Sequence, residues 1–317
     1  MNGGKLRIIF MGTPEFSVPT LKMLIEEHDV VGVVTQLDKP KGRGHNIAVS
    51  PVKQVAIENN INVYQPKSVK GNDEFLYEIK SLNADVIVVV AYGKILSKEI
   101  LESCKYGCIN SHASLLPRHR GASPINFAVI CGDKKSGITT MFMDEGIDTG
   151  DMLLKKEVEI TEDMTAGDLH DKLKILSSDA IRETLELVKK NKLVREKQND
   201  SESTYAPVLN KEFGHIDFSK SCNDIVNLIR GLNPWPIAYC LYKEKKMKIY
   251  EAKEYELDEK LYESFEVGQI ISIEDEGIVV KCGKGFLLIT FIQFENKKAM
   301  SIKSFLNGNT IEKLKLN

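Results

Sequence analysis

The chain has 317 residues, 42% of them hydrophobic and 28% charged, with a formal net charge of −2. That length allows two domains with ample core, and the near-neutral balance gives no global pull toward nucleic acid, so such a partner must be held by local patches. The first apolar run ends at Gly12 and no later one reaches the length of a membrane span, so a cytoplasmic protein without signal or membrane segment is expected.

Leu6 to Gly12 reads as a central strand, Gly12-Thr13-Pro14 as a turn, Phe16 to Glu27 as a helix and Val30 to Thr35 as a second strand. This order predicts an α/β domain with a doubly wound, Rossmann-like parallel sheet. Gly12 stands alone where G-x-G-x-x-G would be needed, which disfavours a nicotinamide dehydrogenase. Residues 36–48 then carry Lys39, Lys41, Arg43 and His45 among two glycines and a proline. Such a mobile basic loop suits phosphate contact, and equally a solvated surface. Ser50 and Pro51 begin a helix with Val52, Val55 and Ala56 on one face. Ile61 to Tyr64 reads as a strand and Glu74 to Leu82 as an amphipathic helix. Val86 to Val90 is wholly β-branched, as in a strand buried on both faces. Ala91-Tyr92-Gly93 sit at its carboxyl end, where open α/β sheets bind ligands; Tyr92 can wall such a site or be a plain core aromatic.

Asn110 and His112 have the i, i+2 spacing that puts both side chains on one face of a short strand, and Pro117 and Gly121 turn the chain out after it. Of the six histidines, His112 alone combines a strand end, a polar partner two residues back and a downstream aspartate loop, Gly146-Ile147-Asp148-Thr149-Gly150. A carboxamide, an imidazole and a carboxylate can bind a carbonyl oxygen, give it a proton and accept one from an amine. The same pattern also fits a hydrogen-bonded rim histidine beside ordinary turn residues. Residues 122–131 read as a helix packed under this site, Gly137 to Met143 as a strand, Leu153 to Ile160 as an outer strand, and Thr165 to Lys190 as one long helix or two.

The first domain is expected to span 1–190, a polar linker 191–208, and a second domain 209–317. Pro234-Trp235-Pro236 reads as a rigid corner with a buried aromatic. The short β-rich runs that follow predict a small OB-like β-barrel. Its lysines cluster, with Lys243, Lys245, Lys246 and Lys248 nearest together, as a solvated face or as an RNA-reading surface. Six cysteines with no Cys-x-x-Cys and no zinc-like Cys/His spacing predict free thiols, no disulfide and no metal.

Asn110-x-His112, Ser114-Leu115-Leu116-Pro117-Arg118-x-Arg120-Gly121 and Asp148-Thr149-Gly150 together resemble the signature of the folate-dependent formyltransferases. The resemblance implies that Asn110, His112 and Asp148 are the catalytic trio. It implies that 10-formyltetrahydrofolate is the formyl donor, with Ser114, Leu115, Leu116, Pro117, Ala91, Tyr92 and Gly93 around the folate. Lys39-Pro40-x-Gly42-Arg43-Gly44 resembles the insertion by which tRNA-acting members enter the acceptor arm of initiator tRNA, and Asn233-Pro234-Trp235-Pro236 resembles the start of their second domain. These imply methionyl-initiator tRNA as acceptor, contacted by Lys39, Lys41, Arg43, Lys243, Lys245 and Lys246. Two details depart from the pattern: His45-Asn46-Ile47 stands where further lysines are usual, and Ile237-Ala238 where Gly-Ala is usual. The rivals are a formyltransferase for a sugar-nucleotide or ribotide amine, a formyl-folate hydrolase, and a non-catalytic RNA- or folate-binding protein; a monomer is expected.

Overall fold

The computed structural model describes residues 4–41 and 46–317. Its strands begin with β1 (Arg7–Gly12), β2 (Asp29–Val34), β3 (Lys39–Lys41), β4 (Asn46–Ala48), β5 (Val63–Tyr64), β6 (Val86–Val90), β7 (Cys108–His112), β8 (Arg120–Gly121), β9 (Lys135–Phe142), β10 (Met152–Glu159) and β11 (Tyr205–Ala206). The helices among them are α1 (Val18–Glu27), α2 (Pro51–Glu58), α3 (Asp73–Ser81), α4 (Lys98–Leu101), α5 (Pro124–Ile130) and α6 (Ala166–Lys189). Seven strands form one sheet in the order β10-β9-β7-β6-β1-β2-β5. The five from β7 to β5 are parallel, while β9 runs antiparallel to both β7 and β10. The expected parallel sheet therefore acquires an antiparallel edge. For β10 the physical reason is that residues 143–151 are too few for a crossover helix after β9. β1 and β6 lie centrally, which is why Ile8, Ile9, Phe10, Ile87 and Val88 are all fully buried.

Local chemistry sets the helix starts. The Ser50 hydroxyl accepts from the Lys53 N–H at 3.1 Å ahead of Pro51, and Asn72 accepts from Phe75 N–H at 3.0 Å. The run from Ala166 is one helix of 24 residues. The expected basic loop contains a two-stranded antiparallel ribbon, Lys39–Lys41 against Asn46–Ala48, while Arg43 and His45 lie outside the described residues.

The chain divides into two compact units, and residues 125–134 and 160–169 belong with 208–317. The second unit adds α7 (Cys222–Gly231), β12 (Ala238–Tyr242), β13 (Lys245–Tyr255), β14 (Ile270–Ile273), β15 (Ile278–Lys281), β16 (Phe286–Phe294), β17 (Met300–Ser301) and α8 (Ile302–Leu306). Its strands make an antiparallel sheet in the order β12-β13-β16-β15-β14, with β17 on β16. Ile225 and Ile229 of α7 pack with Ile249, Ile278 and Leu287 of that sheet. Phe127 and Ile130 of α5 join the second unit's core, and Asn126 donates to the Gly231 carbonyl at 2.8 Å. Trp235 is not buried as expected but 54% exposed; the buried apolar side chains of this corner are Leu232 and Ile237. No helix among the described residues is long and apolar enough to cross a membrane.

Candidate functional site

The alternation of β7 decides which side chains meet. Ser111 turns to α6, where its hydroxyl lies 2.7 Å from that of Ser177, so Asn110 and His112 face the opposite side of the sheet. Both are buried. The His112 Nε2 lies 2.9 Å from the His119 carbonyl oxygen. A carbonyl only accepts, so Nε2 carries a proton and Nδ1 is the position that gains or loses one. Nδ1 faces Asp148 Oδ2 at 3.5 Å, with the ring 6% and the carboxylate 16% exposed. The same Oδ2 accepts from the Gly121 N–H at 2.8 Å. Asp148 holds this position in the left-handed backbone region, φ 55°. Gly150 follows it, where a Cβ would fall 1.8 Å from the Phe142 carbonyl oxygen. The Asn110 carboxamide makes no hydrogen bond to any described residue, which leaves its donor and acceptor available to a ligand.

The 114–117 loop is pinned from below by a residue the sequence reading did not single out. Thr139 Oγ1 donates to the Ser114 carbonyl at 2.7 Å and accepts from the Leu116 N–H at 3.1 Å. Ser114 Oγ donates to the Arg118 carbonyl at 2.6 Å, and Leu116 packs against Met141 and Met152. Leu115 and Pro117 are half-buried members of the same turn. Gln198 is the second residue missed: its Nε2 donates to the Asp148 and Gly150 carbonyls, both at 2.8 Å. It sits in an aperiodic polar stretch that carries no signal of such a role.

Ala91 and Gly93, with φ 47° and 76°, turn the chain at the end of β6. The Tyr92 carbonyl between them accepts from Gln36 Nε2 at 2.8 Å. The Tyr92 ring is in the core with Met11, Val89 and Leu96, and burial pushes its phenol up to about 12. Of its two readings, the geometry matches the core aromatic. Lys39 and Lys41 lie in the β3 ribbon. Lys243, Lys245 and Lys246 come together at the β12–β13 turn. Lys243 is ion-paired with Glu312, and Lys246 Nζ lies 3.8 Å from the Tyr239 ring centre. His215 stacks on the same Tyr239 ring, with centroids 5.2 Å apart. Among the described residues no three His, Cys, Asp or Glu side chains gather as a metal site.

This sheet and site define a class. A family profile described as formyl transferase matches residues 6–185 and its C-terminal-domain counterpart matches 208–310, and the chain belongs to that family. A relative from Clostridioides difficile (strain 630), named methionyl-tRNA formyltransferase, is 54% identical over 309 residues, covering 97% of this chain and 98% of its own. One of the same name from Clostridium novyi (strain NT) is 52% identical over 307 residues, with coverage of 97% and 98%. Among solved structures, an N-formyltransferase from Helicobacter canadensis in complex with folinic acid and dTDP-3-aminofucose gives a TM-score of 0.66 at 20% identity, covering 90% of this chain and 98% of its own. HypX from Aquifex aeolicus in complex with tetrahydrofolic acid gives 0.60 at 15% identity, covering 96% and 47%. At those identities the two structures share the fold.

Proposed function

We propose that the protein transfers the formyl group of 10-formyltetrahydrofolate to the α-amine of methionyl-initiator tRNA, as the names of its relatives at 54% and 52% identity indicate. The observation that carries the chemistry is the clamped imidazole, with Nε2 on a carbonyl and Nδ1 toward a carboxylate. An α-amine titrates at about 7.7–8 in the reference state, and esterification lowers this further, so the attacking amine is neutral without a strong base. Its attack on the formyl carbon makes a tetrahedral oxyanion, which the free Asn110 carboxamide and the protonated His112 ring stabilise. The amine nitrogen then gives up a proton and the folate nitrogen gains one as the carbon–nitrogen bond to the folate breaks. His112 Nδ1 with Asp148 is the relay for that proton. The 114–117 turn and the Ala91–Gly93 backbone are the folate wall in this scheme.

Catalysis falls to residues 1–190 and tRNA contact to Lys39, Lys41, Arg43 and to 209–317, joined through 191–208. An OB-like character for the second domain is supported by the two register shifts that bend β13 as it pairs with β16. Lys246 over Tyr239, with His215 stacked on that ring, combines cation and aromatic surface as strand-binding faces do. The test is formylation of initiator and elongator methionyl-tRNA beside an amino-sugar nucleotide. Rapid transfer to the initiator alone is expected; transfer to the sugar, or release of formate without transfer, would replace this function with a rival.

A further inference from the structure

Residues 195–206, expected to be part of a linker, run along the site as a strap. Glu196 and Met152 exchange both backbone hydrogen bonds, at 2.9 and 2.8 Å, where β10 begins. Gln198 Nε2 then reaches the carbonyls of Asp148 and Gly150. Its Oε1 accepts from Arg120 Nε at 3.0 Å, and Arg120 Nη2 donates to Asp200 Oδ1 at 2.8 Å. The Arg120 side chain is 11% exposed, so the guanidinium is fixed rather than free in solvent. Further along, Thr204 Oγ1 accepts from the His119 N–H at 2.8 Å, and the Thr204 carbonyl accepts from the Arg120 N–H at 2.9 Å. Two groups clamp the imidazole, the Asp148 carboxylate and the His119 carbonyl. Each belongs to a residue bonded directly to the strap, one through Gln198 and the other through Thr204. Asp148 and His119 both have left-handed backbones, φ 55° and 57°. Such conformations persist where their surroundings enforce them.

From these contacts we infer that Gln198 and Thr204 are positioning residues for formyl transfer: the strap sets the distance and tilt at which His112 meets its two acceptors. The inference rests on the catalytic reading of His112 and Asp148. A displacement of about 1 Å at a reacting group costs on the order of 100-fold in rate. Neither side chain need touch substrate, so the loss should fall on kcat and leave the KM for tRNA unchanged.

The experiment uses the full-length protein with 10-formyltetrahydrofolate and methionyl-initiator tRNA. Gln198→Ala and Thr204→Val should each lower kcat by about 10- to 100-fold, with the KM for tRNA within about twofold of wild type. In an Asp148→Asn background, Gln198→Ala should cost less than about twofold more, because the group it positions has already been disabled. A general loosening of the fold would instead add its full cost in both backgrounds. Should Gln198→Ala not fold, Gln198→Met, which keeps the length and loses the donors, carries the same expectation. Wild-type kcat in either the Gln198 or the Thr204 variant, or full additivity with Asp148→Asn, overturns the inference while leaving the catalytic reading intact. A fast Asp148→Asn protein would remove both together.

Discussion

Replacing Asp148 by Asn removes one charge from the site and little else. The side chain keeps its size, and its carbonyl oxygen can still accept from Gly121 N–H, so the turn at 146–150 should survive. What is lost is the carboxylate 3.5 Å from His112 Nδ1. At an effective dielectric near 20, two unit charges at that separation interact by about 5 kcal/mol. Since each ~1.4 kcal/mol is a tenfold change in rate, the ceiling lies between about 10³- and 10⁴-fold. Asp148 is 16% exposed and solvent screens part of the interaction, so we expect a loss of about 10²- to 10³-fold. Rapid-quench formyl transfer under single-turnover conditions reads the chemical step directly, and circular dichroism and a thermal melt monitor the fold. A rate within about threefold of wild type, or a loss confined to KM, would refute the assignment of Nδ1 as the working nitrogen.

Thr139→Val should leave the Ser114 carbonyl and the Leu116 N–H without their buried partner, costing about 1–3 kcal/mol by calorimetry and raising the KM for the formyl donor more than it lowers kcat. His28 is buried at the end of α1 with Nδ1 unpartnered, and burial holds its pKa below the usual 6.5. The unfolded chain therefore takes up the proton first as pH falls, so this residue's contribution is complete above pH 6.5 and is lost as pH drops through that value toward the lowered folded pKa. Melting temperature should decline on that acid side, and His28→Gln should flatten the slope. Lys246→Ala should raise the KM for tRNA by about 3- to 10-fold and reduce its salt dependence, with the KM for folate unchanged. Lys243→Ala should do less, since Glu312 already neutralises that charge.

The parts of the molecule legible in the sequence are those set by local patterns. Val86–Val90 has to be an interior strand because every residue is apolar and β-branched, and β6 sits near the middle of the sheet. Ser50-Pro51 marked the start of α2 in the same way, and the leucine spacing marked the run that forms α6 without deciding between one helix and two. The approach of Asp148 to His112 could be suspected from glycine flanks and chain order, but its distance could not, because the loop's path depends on Gly121 and Gln198 from separate segments. Thr139 looked like one more strand threonine until β9 was seen paired with β7. Trp235 was expected inside on the strength of its apolar ring, whereas the buried side chains of that corner are Leu232 and Ile237. In each miss, long-range packing outweighed a local preference, as it does wherever segments far apart in sequence share one surface.

We propose that His112, held by the His119 carbonyl and Asp148, does the chemistry beside Asn110. Single-turnover transfer from 10-formyltetrahydrofolate to methionyl-initiator tRNA by the His112→Ala protein tests it most directly. A first-order rate at least about 100-fold below wild type, with an unchanged fold, is expected; transfer at the wild-type rate would mean that His112 does not do the chemistry.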